Sequence, residues 1–325
     1  MGFLSVLLAF LLEQARPLGQ GNVVHRASAA WVRWCQRVLD TGEIGHAWMA
    51  WALAVLVPTL LSAGIYWLCL LLVGWPLAVA WCVLALYATL GFRQFSFHFT
   101  QIRDALLDGN DEQARRLLAE WEPDAGNEAT RSEIVADVIA LSVLAAHRHV
   151  FGVLVWFSLL AALGMGPAGA VLYRLGESTA RYVRGGNRDG KDADCSLAST
   201  ELVRIASRSW AKLDWLPARA TAVGFAIVGN FEEAIDGWRR CTQCGVRGSD
   251  VLILAATQGA MDVDLGGAMA AHQGLVETAD NNAEPQSIRP QPQMGHLPVV
   301  VGMVWRTVVL WVILLALLSV ARLLG

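Results

Sequence analysis

From Ala47 to Val73 the chain carries no charged residue, and after Gly74-Trp75-Pro76 it runs uncharged again to Gly91. Helices of that length cross the roughly 30 Å of hydrocarbon in a bilayer, where every backbone N–H and C=O must find its partner inside the protein. The Gly-Trp-Pro break predicts two spans joined by a tight turn. Arg26, Arg33 and Arg37 precede the pair and Arg93 and Arg103 follow it, so the positive-inside rule assigns both flanks to the cytoplasm. With 55% apolar and 16% charged residues, the 325-residue chain is neither disordered nor collagen-like nor a disulfide scaffold. A net charge of −3 supplies no global basic field, so the expected partner is the lipid bilayer and not nucleic acid.

The remaining organisation follows from where the charges fall. Met1 to Leu12 has no basic residues ahead of it and no A-x-A cleavage pattern behind it, and reads as an uncleaved first membrane segment. Residues 22 to 46 mix Trp31, Trp34 and Leu39 with His25, Arg26, Arg33 and Arg37, the composition of an amphipathic helix lying on the membrane surface. Residues 1–93 thus form an N-terminal membrane portion. Residues 94–148 read as a cytoplasmic helical insert, in which Asp111 caps a second helix after the Asp108-Gly109-Asn110 turn and a third runs from about Ser132 to Ala146. The apolar block Val150–Tyr173 is interrupted by Gly164-Met165-Gly166-Pro167, giving either one kinked span or two half-helices. Helices are expected around 197–212, 215–229, 231–240 and 250–273, with flexible loops at 184–195 and 277–297 and a last span from Leu297 to Ala321. The fold class is all-α: a polytopic protein with about four to five transmembrane helices and a cytoplasmic helical portion. Its parts are 1–93, 94–148, a core at 149–240, a polar helix and flexible loop at 241–296, and a C-terminal transmembrane helix at 297–325. A multi-pass place in a bacterial inner membrane is expected.

Common catalytic signatures are missing from the sequence. Gly164-Met-Gly-Pro-Ala-Gly169 matches the spacing of a dinucleotide loop, but no strand precedes it, so it reads as close packing or a membrane break. Cys241 and Cys244 have the spacing of half a zinc site without a second pair, and no metal is expected. His147-Arg148-His149 reads as an interfacial anchor, its alternative being a cluster that faces an anionic ligand at the membrane surface, and Glu232, Glu233 and Asp236 read as a solvated helix face. In Leu213-Asp214-Trp215-Leu216-Pro217-Ala218-Arg219, Asp214 can cap a helix whose first turn holds Pro217.

Leu213-Asp-Trp-Leu-Pro-Ala-Arg-Ala-Thr-Ala222 closely resembles the L-D-x-(x)-P-A-R-L-T-A segment of the CobD/CbiB cobalamin-biosynthesis family and the L-D-W-V-P-V-R segment of the AmpE proteins, one membrane superfamily. Asp108–Arg115, Gly164–Arg174 and Ile227–Ala234 resemble further superfamily segments in the same order. In the CobD/CbiB branch the acidic run E-S-V-A-E-N-x-x-D-G aligns with Leu141–Gly152, where its acidic residues and asparagine are replaced. The resemblance therefore implies a regulatory or accessory inner-membrane protein of the AmpE type, with a membrane or cytoplasmic protein partner and no cofactor. Its alternative is an adenosylcobinamide(-phosphate) synthase, an amide-forming ligase using ATP and a corrinoid substrate. It also implies a ligand site built from Asp214 with Arg219 and Tyr173 with Arg174, while catalytic residues stay unassigned.

Overall fold

The computed structural model describes residues 2–15, 23–122, 129–185, 198–243, 248–273 and 289–324, and all regular structure among them is helical. Among the described residues three helices are long and apolar enough to cross a membrane, Ile44–Leu72, Arg131–Ala162 and His296–Ala321, and Gly2–Ala15 and Trp75–Thr89 are shorter apolar helices. This is the expected all-α, polytopic membrane architecture. The apolar stretches of the first and last long helices are only 22% and 33% buried, against 83% for Arg131–Ala162, so the outer two offer apolar faces to lipid and the middle one is covered by protein. The chain divides into two compact units.

The first unit comprises Met1–Gly91, Arg148–Pro217 and Leu314–Gly325. It holds α1 (Gly2–Ala15), α2 (Val23–Leu39), α3 (Ile44–Leu72), α4 (Trp75–Thr89), α8 (Gly152–Ala162), α9 (Ala168–Gly185) and the start of α10 (Thr200–Val228). Proline inside a helix removes the N–H that would bond the carbonyl four residues earlier. Pro58 does this within α3, and the carbonyl it orphans, that of Ala54, accepts the Trp31 indole N–H from α2 at 3.2 Å. Helix α2 is tied to α3 at that point, and Val32 and Cys35 pack there against Ala54 and Val55. At the end of α8, Gly164 takes φ 81° and the Met165 N–H bonds the Leu160 carbonyl, a left-handed helix stop. The chain then reverses into α9 as two separate helices, which settles the alternatives for the Val150–Tyr173 block. Their contact is close: a Cβ on Gly169 would stand 1.9 Å from the Trp156 carbonyl oxygen.

The second unit comprises Phe92–His147 and Ala218–Ile313. It holds α5 (Phe92–Leu107), α6 (Asp111–Trp121), α7 (Arg131–Ala146), α11 (Phe231–Gln243), α12 (Ser249–Met261), α13 (Gly266–Gln273) and most of α14 (His296–Leu324). Thr130 and Glu133 close a reciprocal capping box on α7. Asn110, not Asp111, caps α6, because its side chain is the one that accepts the Gln113 N–H. The helix expected over 250–273 is two helices, broken where Asp262 adopts φ 52°. Arg289, buried, pairs with Glu233 at 2.6 Å, so that carboxylate serves a structural ion pair and not a purely solvated face. The loops expected at 184–195 and 277–297, and Cys244, lie largely or wholly outside the described residues.

The helices expected at 197–212 and 215–229 are one, α10, with Pro217 in its interior. Asp214 is accordingly not a cap. The carbonyl orphaned by Pro217 is that of Leu213, and the Trp156 indole N–H donates to it at 3.0 Å, so the helix continues without an unpaired backbone oxygen. Trp156→Phe should lower the unfolding free energy of the detergent-solubilised chain by about 1–3 kcal/mol. Adding Pro217→Ala, which restores the N–H to helix geometry, should recover part of that loss; a chemical-denaturation double-mutant cycle measures the coupling, and additivity would remove this account of α10.

Candidate functional site

Between α7 and α8 the residues His147–Phe151 form a π-helical turn, a wider winding that re-aims its side chains and frequently marks functional positions. In the first unit it is followed by Gly152, whose Cβ would stand 2.0 Å from Cζ of Tyr173, so only glycine admits that ring. Tyr173 is fully buried, its ring 5.1 Å from that of Trp210. Its hydroxyl donates to Oδ1 of Asp214 at 2.8 Å, and Asp214 is only 1% exposed. Gly176 makes the matching gap on α9 for Leu213, the neighbour of Asp214. Two of the expected site residues, Tyr173 and Asp214, are thus brought together in a dry setting by glycines on α8 and α9.

Arg174 points its guanidinium at Glu177 instead, Nη1 to Oε2 at 3.0 Å, one turn along α9. The other oxygen of Glu177 is held by Arg181, a further turn on. The carboxylate is 4% exposed and Arg174 10%, whereas Arg181 is 60% exposed and reaches the carboxylate from outside. Arg219 lies further along α10, half-buried, in the second unit. Burial on its own would push the pKa of Glu177 up, but Arg181 and Arg174, then His149 and Arg148, outweigh it and hold the carboxyl down at about 2.

Glu177 and Arg181 are not among the site residues expected from the sequence, and His149 is expected there only as part of an interfacial anchor. The first two carry a readable signal, since Arg174, Glu177 and Arg181 sit at helix-neighbour spacing on one face. His149 does not, because its burial depends on tertiary packing. The interfacial-anchor reading of His147-Arg148-His149 is corrected: His147 is fully buried, with Nδ1 2.8 Å from Oγ1 of Thr221 within the second unit, and His149 is 7% exposed. The Gly164–Gly169 glycines serve a helix stop and close contacts, Gly166 against the Tyr66 ring and Gly169 against Trp156, as the packing reading held.

The Glu177 pairing has a pH signature. A carboxylate held near 2 in the folded chain against an ordinary 4.5 contributes stability that is complete above 4.5 and is lost as pH falls toward 2. Acid unfolding of the solubilised chain should therefore steepen across that window, and Glu177→Gln should flatten it while lowering stability at neutral pH. An unchanged acid limb in the variant would dismiss the pairing.

The chain matches no family model, and no solved structure matches it. Among curated proteins it is 30% identical over 324 residues to the cobalamin biosynthesis protein CobD of Stutzerimonas stutzeri (strain A1501), covering 96% of each chain. It is 28% identical over 233 residues to the protein of the same name from Chromobacterium violaceum, covering 70% of this chain and 67% of that one.

Proposed function

This chain belongs to the CobD family of cobalamin biosynthesis proteins, and we propose that it is an adenosylcobinamide(-phosphate) synthase of the bacterial inner membrane. The observation that carries this reading is the similarity to a CobD protein over nearly the whole of both chains, with no major part of either left unmatched. The reaction joins the amine of aminopropanol, or of its phosphate, to a carboxyl of adenosylcobyric acid. Making an amide from a carboxylate requires an activated carbonyl: ATP transfers a phosphoryl group to the carboxylate, the amine nitrogen attacks the carbonyl carbon, phosphate leaves, and the nitrogen gives up a proton.

The ligand-binding candidates in this reading are Asp214, Tyr173 and Arg174 in the first unit and, by itself, Arg219 in the second. Asp214 is a buried acceptor whose orientation is set by the Tyr173 hydroxyl, suited to an amine or hydroxyl of the substrate. Arg219 presents a guanidinium fork for a carboxylate or phosphate. Arg174 acts through the Glu177 carboxylate it holds.

A second reading, a regulatory or accessory membrane protein of the AmpE type with a protein partner, is favoured by one feature: over Leu141–Gly152 the glutamates, asparagine and aspartate of the cobalamin branch's acidic run are replaced. Both relatives described above carry the cobalamin name, which places the weight on the synthase. Complementation separates the two. Expressed in a strain lacking its adenosylcobinamide-forming synthase and supplied with adenosylcobyric acid, the chain should restore cobinamide, and Asp214→Asn and Arg219→Ala should each cut product at least tenfold with the protein still in the membrane. No product from a membrane-inserted wild-type chain would overturn the synthase reading and leave the regulatory one.

A further inference from the structure

The uncharged stretch Val150–Tyr173 lies between Arg148 and Arg174 and folds, in the first unit, into α8 and the start of α9. The contacts of its two legs run antiparallel: Gly152 lies against the Tyr173 ring, Gly169 against the Trp156 backbone, and Leu160 shares an apolar cluster with Ala168 beside the turn. The chain therefore leaves this hairpin on the side where it entered. The 11 residues of α8 reach about 16 Å, half of the roughly 30 Å of hydrocarbon in a bilayer. Helix α3 runs alongside as a ruler. Leu175 packs with Ala54 and Val55, Ala168 with Ala63, Gly166 meets the Tyr66 ring, and Gly164 lies nearest Trp67. From Trp67, α3 continues to Leu72, about 8 Å further at 1.5 Å per residue. The turn thus stops inside the depth that α3 spans. Leu163 at the turn is 72% exposed, and Trp67 and Leu68 are exposed beside it, an apolar surface continuous with the one α3 offers to lipid.

Arg131–Ala162 is long and apolar enough to cross a membrane, yet its first half belongs to the second unit. There α7 is apolar on every side because α5, α12 and α13 pack around it. Helix α6 also packs on it and turns Glu112, Arg116 and Glu120 outward, a face that lipid excludes. A core helix and the first leg of the hairpin together make up the length of one span. Beyond the open end of the hairpin, α9 carries Arg174, Arg181 and Arg184, charges that the positive-inside rule keeps in the cytoplasm. We propose that α8 and α9 form a re-entrant hairpin, which enters the hydrocarbon from the cytoplasmic side, turns at Gly164–Pro167 and returns, so that Arg131–Ala162 does not cross and the partner of the tip is the lipid bilayer. Irregular backbone at membrane depth requires cover and internal hydrogen bonds. At the turn the Met165 N–H bonds the Leu160 carbonyl and the Tyr66 ring covers Gly166. Tyr173 and Asp214 then stand at the cytoplasmic mouth of the hairpin. The inference holds whether or not the chain is a synthase.

The test locates both flanks and the tip in the full membrane-inserted chain. Glu120→Cys on α6 and Arg184→Cys on α9, both at exposed positions, are treated with a membrane-impermeant maleimide in spheroplasts and in inverted vesicles. The labelled peptide is identified by mass spectrometry, so the native cysteines need no replacement. Both positions are expected to react in inverted vesicles and to be protected in spheroplasts. Reaction of either one in spheroplasts, which places that flank outside, overturns the proposal. Leu163→Cys carrying a nitroxide reports the depth of the tip, and its exposure leaves room for the label. Its spin relaxation should respond more to oxygen, which concentrates in hydrocarbon, than to a water-soluble nickel chelate. The reverse order places the tip in water and overturns the hairpin even where the two flanks share the cytoplasmic face.

Discussion

The Trp156 indole N–H bonded to the Leu213 carbonyl is the contact on which the first unit's polar interior depends. Pro217 leaves that carbonyl without its helical partner, and among apolar helices water does not replace it. The donor from α8 lets α10 run on past the proline as a single helix from Thr200 to Val228. Had the helix ended there, Asp214 would have been an exposed cap. In the continuous helix it is an interior residue facing the Tyr173 hydroxyl. The same device recurs at Pro58, where Trp31 serves the Ala54 carbonyl. Each proline thereby becomes a docking point: the missing intrahelical bond is replaced by an interhelical one, and the indole supplying it registers one helix against another.

The charged residues obey a related constraint. A carboxylate at 4% exposure survives as an anion because two arginines of its own helix lie at the spacing that reaches both of its oxygens. The arrangement is lopsided, with one partner buried and the other at the surface, so its two halves differ in the freedom to exchange partners. In the second unit the roles are reversed, with the covered guanidinium of Arg289 held by the more exposed carboxylate of Glu233.

Much of the architecture was legible because membranes impose blunt rules. Uncharged stretches and their arginine flanks marked the hairpin of α3 and α4, and Pro76 with Gly74 marked its turn. The insert helices followed from caps, with an error of one residue at Asn110, since either side chain of the Asn-Asp pair could accept the N–H. Pro217 was misread for a deeper reason. Proline is a local signal to stop, while the indole that overrides it belongs to a residue far away in the chain and cannot be inferred from α10 alone. Tyr173 and Asp214 were reached through family resemblance, and nothing local announced that they touch. Glu177 and Arg181 were legible in spacing and passed over. The burial of His149 was not legible at all, being a product of how α8 and α9 fold back on one another.

Gly152, Tyr173 and Asp214 also bear on how such a protein can change over time. A bulkier residue at 152 collides with the tyrosine ring, and the usual remedy for a collision is a smaller residue opposite. Here that remedy is closed, because the ring that would have to shrink also carries the hydroxyl on which Asp214 relies. Volume at one position and hydrogen bonding at another are held by a single side chain, so pairwise exchange cannot repair either fault. The three positions are inherited together or abandoned together, and descendants that give up the glycine should be found to have surrendered the tyrosine and the aspartate as well.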